Sequence, residues 1–288
     1  MKTLVSLLLL ASAGFAQTPS LSPKWEELTA PDFVRAIQQA QGTCLLPFGI
    51  LEKHGPHLPL GTDLINARYA ALDAAKREYA VVFPEYYFGQ IFEARQQPGT
   101  VAYSLELQLK LLQETTDEMA RNGCKKIFII NGHGGNEHLL PLFAQSQLAK
   151  GRDYAVYVMA LPDTNLPGRP VIRDKNDMHA GTDETSRTLI SRPELVHVDR
   201  AGEESGADQN RQAMLPKGVY TGIWWYAKFP NHYAGDGSMA TKELGAFDMK
   251  AWSDQVVAAL KTIKADSESL KLQQQFYEDA KHPLQTKQ

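Results

Sequence analysis

The chain has 288 residues, 43% of them hydrophobic and 22% charged, which is enough apolar material for a sizeable core and is not the composition of a disordered chain. The formal charge of −3, with no basic cluster, argues against nucleic acid as a partner. The length fits one large α/β domain or two small ones, and the absence of repeats and low-complexity linkers favours one.

Met1-Lys2-Thr3, an apolar run from Leu4 to Leu10 and small residues through Gly14 and Ala16 follow the three-part plan of a secretory signal peptide. The apolar run is too short to span a bilayer. The expected division is therefore a signal peptide (1–16), one domain (17–282) and a flexible tail (283–288), with the mature protein exported to a periplasm or secreted. Export permits a disulfide between Cys44 and Cys124. Each lies on or beside an apolar strand-like run, however, so the preferred reading is two separate small core residues.

A short helix is expected over 31–41, where Phe33, Val34 and Ile37 fall at helical spacing. A strand over 43–51 follows, then a helix over 63–78 whose Ala67, Ala70, Ala71, Ala74 and Ala75 give a small-residue face. A strand over 80–83 leads into an aromatic-rich loop, 84–100. Ser104 caps a helix that runs to 122 on the stripe Leu105, Leu109, Leu112, Thr116 and Met119, and Gly123 ends it. The run 126–130 is continuously apolar, as in a sheet buried on both faces. A helix over 137–149 and a strand over 155–161 complete the alternation. Residues 162–178 read as loop, 184–190 as helix, 199–237 as irregular and aromatic-rich, and 241–268 as a final helix with room for a break. Strand–helix alternation at this spacing implies a mostly parallel sheet with helices on both faces and a site at the carboxyl ends of the strands.

The chemistry-bearing residues collect at those ends. Glu52 and His54, two apart after the first apolar run, would leave the same face of a continuing strand, and Asp63 follows nine residues later. His133 sits among glycines in Asn131-Gly132-His133-Gly134-Gly135-Asn136 at the end of the third strand. Carboxylates with imidazoles are a ligand set for Zn, Mn or Fe(II). The glycine loop lacks the Lys-Ser/Thr ending and the spacing of a nucleotide loop. His138 reads as structural, and His197, His232 and His282 show no partner pattern. Trp224 and Trp225 read equally as a subunit contact or a pocket wall.

Glu52-Lys53-His54-Gly55-Pro56-His57-Leu58-Pro59-Leu60, Asp63, the 131–136 motif, and His179-Ala180-Gly181 with Glu184-Thr185-Ser186 together resemble the creatininase (creatinine amidohydrolase) family. Pro98-Gly99-Thr100 and Gly235-Asp236 fit lesser motifs, and the likeness spans roughly 40–250. The resemblance implies a three-layer α/β/α sandwich and a two-metal centre, with Zn first and Mn or Fe as alternatives, that hydrolyses a C–N amide or ring-amide bond of a small molecule. It implies metal ligation by Glu52, His54, Asp63, His133 and Glu184, with Asp63 bridging. His179 and Glu184 become the catalytic candidates, His179 passing a proton to the leaving nitrogen. His57, Gly134, Gly135 and Asp236 become candidates for the substrate side, His57 also for orienting a ligand. Family members are often hexameric rings, so a homo-oligomer is expected. Members that hydrolyse creatinine carry Tyr-Glu where this chain has Gly134-Gly135, which argues against creatinine itself. Thr182 stands where Glu usually follows His-Ala-Gly, with Asp183 next to it as a replacement. The competing reading is a binding or scaffold protein that kept the fold without turnover.

Overall fold

A computed structural model describes residues 21–174 and 176–285; the signal-peptide segment and the last three residues of the tail lie outside them. The apolar runs form four strands: β1 (Thr43–Phe48), β2 (Val81–Val82), β3 (Lys126–Asn131) and β4 (Ala155–Met159). They pair in the order β2-β1-β3-β4, all parallel, with β1 and β3 central and in register from Thr43↔Lys126 to Phe48↔Asn131. Side chains on the central strands alternate between two cores. Cys44, Leu46, Phe48, Ile127 and Ile129 face α1 (Ala30–Gln39), α3 (Leu105–Arg121) and α4 (Leu139–Ser146). Leu45, Phe128 and Ile130 face α2 (Thr62–Arg77) and α7 (Lys242–Ala265). The result is the expected three-layer α/β/α sandwich. No helix among the described residues is long and apolar enough to cross a membrane.

The alanine stripe of α2 is buried throughout, so this helix lies close against the sheet. Two glycines bring its first turn down onto the strand ends. A Cβ at Gly132 would sit 2.5 Å from the Asp63 carbonyl oxygen, and one at Gly49 would sit 2.5 Å from the Leu64 nitrogen. Only glycine permits this approach, and it sets Asp63 directly above the end of β3.

Several expectations need correction. Strand β1 stops at Phe48, not at 51, because Gly49 lies under α2 and the chain must leave the sheet there. Glu52 and His54 therefore meet through an irregular loop and not through strand alternation. Leu105 is exposed; the inward stripe of α3 starts deeper, at Gln108 and Leu112. The helix expected over 137–149 is α4 flanked by 3-10 turns, and the long C-terminal helix breaks at Asp266, whose carboxylate accepts from the Glu268 and Ser269 amides and starts α8 (Glu268–Asp279). Cys44 and Cys124 are not separate thiols: they form a disulfide, with Cα atoms 5.7 Å apart. Cys124 immediately precedes β3, and the β1–β3 pairing brings the starts of the two strands together.

Candidate metal centre and its cavity

The glycine loop after β3 is held by its two asparagines. Asn131 Oδ1 accepts from the His133 amide at 3.1 Å and Asn131 Nδ2 donates to the His133 carbonyl at 2.9 Å. Asn136 Nδ2 donates to Asn131 Oδ1, and Asn136 Oδ1 accepts from the Gln90 amide at 3.0 Å. His133 is thereby aimed across the strand end at Glu52 and Asp63. Its Nδ1 lies 2.9 Å from Glu52 Oε1 and 3.0 Å from Asp63 Oδ2. Among the described residues neither of those buried oxygens accepts a well-formed hydrogen bond, and His133 Nε2 is also without a partner. Buried carboxylate oxygens left without a donor are costly unless something else neutralises them.

The second cluster shares Asp63. Its Oδ1 lies 3.1 Å from His54 Nε2, which is 3.8 Å from Glu184 Oε2. His54 Nδ1 is engaged with the Glu52 carbonyl at 3.2 Å, leaving Nε2 to face the acids. Glu184 enters from α5 (Thr182–Ser191) and its Oε2 accepts from the Ala180 amide at 2.6 Å. Asp63 thus turns one oxygen to each imidazole, the arrangement of a carboxylate shared between two cations. The chain fits two divalent ions on this observation: Glu52, Asp63 and His133 could hold one, and His54 and Glu184, with Asp63 Oδ1 beside His54 and His179 also within reach, the other.

The electrostatics of the metal-free cluster agree. Burial opposes charge on every member, yet mutual attraction outweighs it for the imidazoles: Asp63, then Glu52 and Glu184, push His54 up to about 10. His133 is likewise held well above the ordinary histidine value by Glu52 and Asp63, against the effect of burial. Glu184 goes the other way: burial, reinforced by Asp63, raises its carboxyl above the usual range. Protons here occupy places that cations can take.

His179 stands beside both clusters. Its Nε2 donates to the Lys53 carbonyl at 2.8 Å, which leaves Nδ1 as an acceptor, 3.8 Å from Glu184 Oε2. Burial pushes its pKa down to about 3, with His54 and His232 adding to the effect and Glu52 opposing it. It is therefore a neutral imidazole with a free lone pair, and it must accept a proton before it can give one.

His232 is the residue that sequence reasoning missed. Its Nε2 contacts Glu52 Oε2, and Trp225 Nε1 donates to its Nδ1 at 2.8 Å. An indole N–H can only donate, so Nδ1 is the acceptor and Nε2–H must be the donor to Glu52. The backbone at His232 is left-handed, with φ 58°. No spacing pattern points to it; the adjacent Trp224-Trp225 pair was the available hint. Exchanging His232 for Asn, which tolerates that backbone, is expected to weaken metal affinity about 10- to 100-fold. Competition against a chelating fluorophore checks this, and an unchanged affinity would show that His232 plays no part in setting Glu52.

A cavity of about 350 Å³ opens over the cluster. Glu52, His133, His179 and Glu184 form its floor, with Gly134, Gly135, Gln90 and Glu93 at the side and Tyr220, Trp224 and Trp225 as an aromatic wall. The tryptophan pair is thus a pocket wall in this structure. His138 is exposed at the same rim. Two expected substrate-side residues lie elsewhere. His57 is buried behind the site, its Nε2 2.8 Å from Thr185 Oγ1. Asp236 caps a 3-10 turn at Ser238 and lines a separate surface cavity. Asp183 does not replace the missing acid at Thr182, because Arg169 and Arg187 draw it away from the cluster.

A profile of the family described as "Creatininase: Creatinine amidohydrolase" matches residues 26–260. The chain belongs to the creatininase family. A relative named mycofactocin precursor peptide peptidase, from Mycolicibacterium smegmatis, is 34% identical over 161 residues, covering 54% of this chain and 60% of that protein. The chain therefore spans under two thirds of that relative's length. Among solved structures, a mutant creatininase described as Zn-Zn type superposes with a TM-score of 0.67 at 21% identity, covering 86% of this chain and all of the other. Another, described as creatininase Mn, superposes with a TM-score of 0.69 at 20% identity, covering 85% and 100%. This creatininase-family chain shares their fold.

Proposed function

We propose that this protein is an exported, metal-dependent amidohydrolase that cleaves a C–N amide or cyclic-amide bond of a small molecule. The observation that carries this reading is Asp63, with its two oxygens turned to two imidazole–carboxylate clusters whose Glu52, His133 and Glu184 line one cavity. Divalent cations held there, Zn first and Mn or Fe as alternatives, would supply Lewis acidity toward the substrate carbonyl and toward water. The chain's own residues do the rest. Glu52, Asp63 and His133 hold one position, and His54, Asp63 and Glu184 the other. His179 Nδ1 takes a proton as water adds to the carbonyl carbon and returns it to the nitrogen as the C–N bond breaks, giving a carboxylic acid and an amine. The Lys53 carbonyl on Nε2 fixes the tautomer this requires. Tyr220, Trp224 and Trp225 narrow the cavity and limit bulk water.

Relatives named for a peptidase and for creatinine hydrolysis support amide chemistry, and Gly134-Gly135 argues for a substrate other than creatinine. The Cys44–Cys124 disulfide and the N-terminal sequence support export, because structural disulfides persist in oxidising compartments. A homo-oligomer, a hexamer by family likeness, is part of the same proposal.

Metal uptake tests the reading. At pH 7 the metal-free cluster holds His54 protonated, since its pKa of about 10 lies above the solution pH. A cation needs the neutral imidazole, so loading must release protons and apparent affinity must rise with pH up to about 10. Titration with Zn or Mn in weakly buffered solution, read with a pH indicator, is expected to show about two protons released per chain, from His54 and His133. Loaded protein should then release amine from a panel of short peptides, formamides and cyclic amides, and lose that activity on chelation. Protein that takes up neither metal would favour the scaffold reading.

A further inference from the structure

The cavity is anionic beyond what the metal centre needs. Two divalent ions carry four positive charges against the three carboxylates of Glu52, Asp63 and Glu184; Glu93 and Glu137 bring the carboxylates to five, one more than the ions balance, and no Lys or Arg lines the walls among the described residues. Glu93 is placed for contact. Gln90 Nε2 holds its Oε2 at 3.0 Å, while its Oε1 has no hydrogen-bond partner among the described residues. That oxygen reaches the floor because residue 135 has no side chain: a Cβ there would collide with His133 Nε2 and come within 3.0 Å of Glu93 Oε1. Gly135 thus leaves room beside His133 into which Glu93 looks. The rings of Tyr220 and Trp224 line the same cavity, and aromatic faces attract cations.

Building on the amidohydrolase reading, we propose that the cavity selects amides carrying a positively charged nitrogen close to the scissile bond, and that Glu93 is the specificity-determining residue that receives it. A carboxylate that is otherwise half-satisfied gains a charge-assisted hydrogen bond from an ammonium or guanidinium group, and an anionic substituent is repelled by the same wall. Glu137, exposed at the rim, adds to the attraction without a defined contact.

Hydroxamates separate the two layers of the reading, because the hydroxamate group binds metal while its tail probes the wall. The probes are β-alanine hydroxamate, its uncharged isostere butyrohydroxamate, and succinic monohydroxamate. Calorimetry on metal-loaded protein at pH 7 is expected to show β-alanine hydroxamate binding about tenfold more tightly than butyrohydroxamate, the worth of one charge-assisted hydrogen bond, with the succinic compound weakest. Glu93→Gln should bring the first ratio to about one and leave butyrohydroxamate affinity unchanged. Equal binding of the charged and uncharged probes by the native protein, or a preference that survives Glu93→Gln, overturns the proposal and leaves the amidohydrolase reading standing. Failure of all three to bind loaded protein overturns both.

Discussion

Asp63→Ala abolishes metal loading at both positions and lowers amide hydrolysis by about three orders of magnitude or more. Glu52 lies 2.9 Å from His133 but 3.8 Å from His54, whereas Asp63 contacts both imidazoles closely. Its Oδ1 faces His54 and its Oδ2 faces His133, so one substitution removes a donor from both. The fold should survive. The variant removes one of three converging carboxylates, and its helix keeps the first-turn seat on Gly49 and Gly132. The pH dependence supplies an independent check. In metal-free native protein the His54 pKa of about 10 lies above its unfolded value of about 6.5. A group raised on folding stabilises fully below the unfolded value and loses that contribution as pH climbs through the folded one. Stability of the metal-free protein should therefore decline between about pH 6.5 and 10, and Asp63→Ala, lacking the main attraction, should decline less. Elemental analysis, turnover and urea melts across that pH range measure these outcomes. A metal-replete, active Asp63→Ala would remove the shared-carboxylate argument altogether.

Breaking the disulfide has the second largest expected effect, on stability. Cys44 and Cys124 are 80 residues apart in sequence, and both are fully buried. Closing a loop of that length restricts the unfolded chain by about 4 kcal/mol in the chain-entropy model. The paired Cys44→Ala and Cys124→Ala variant should lose about that much in urea unfolding and keep its metal affinity, because the bridge lies at the start of β1 and the site lies past its end. Native protein unfolded without reductant should show no thiol reactive to Ellman's reagent. Two reactive thiols, or coincident unfolding curves, would contradict the bridge.

Residue chemistry and spacing carried the site further than they carried the local backbone. Glu52, His54, Asp63 and His133 do converge, and parallel topology is what makes strand-end residues neighbours; Glu184, which joins them, came from the family resemblance alone. The reason first offered for Glu52 and His54, strand alternation, was wrong: they converge through a loop that Gly49 forces off the sheet. Pairing of the cysteines depends on β1 lying beside β3, a fact of sheet order that an 80-residue separation hides. His232 gave no signal because its role is to hold another ligand, and the left-handed backbone that aims it appears only in three dimensions. Glu93 was similarly masked among loop aromatics. Tyr86, Phe88 and Tyr103 of that region stack on one another, with ring centres 5.1 and 5.4 Å apart, while Gln90 and Glu93 face the cavity.

The two glycine seats under α2 also bear on how this enzyme could change. They fix Asp63 at a helix start against the end of β3 that leads into His133, in a part of the molecule where a single methyl group would collide with backbone. The aromatic wall, with Tyr220 and Trp224, comes from the irregular stretch between α5 and α7, where Gly218 and Gly222 have open space around them. Grafting or randomising 217–223 would vary that wall while sparing Trp225, whose hydrogen bond to His232 holds the imidazole that contacts Glu52.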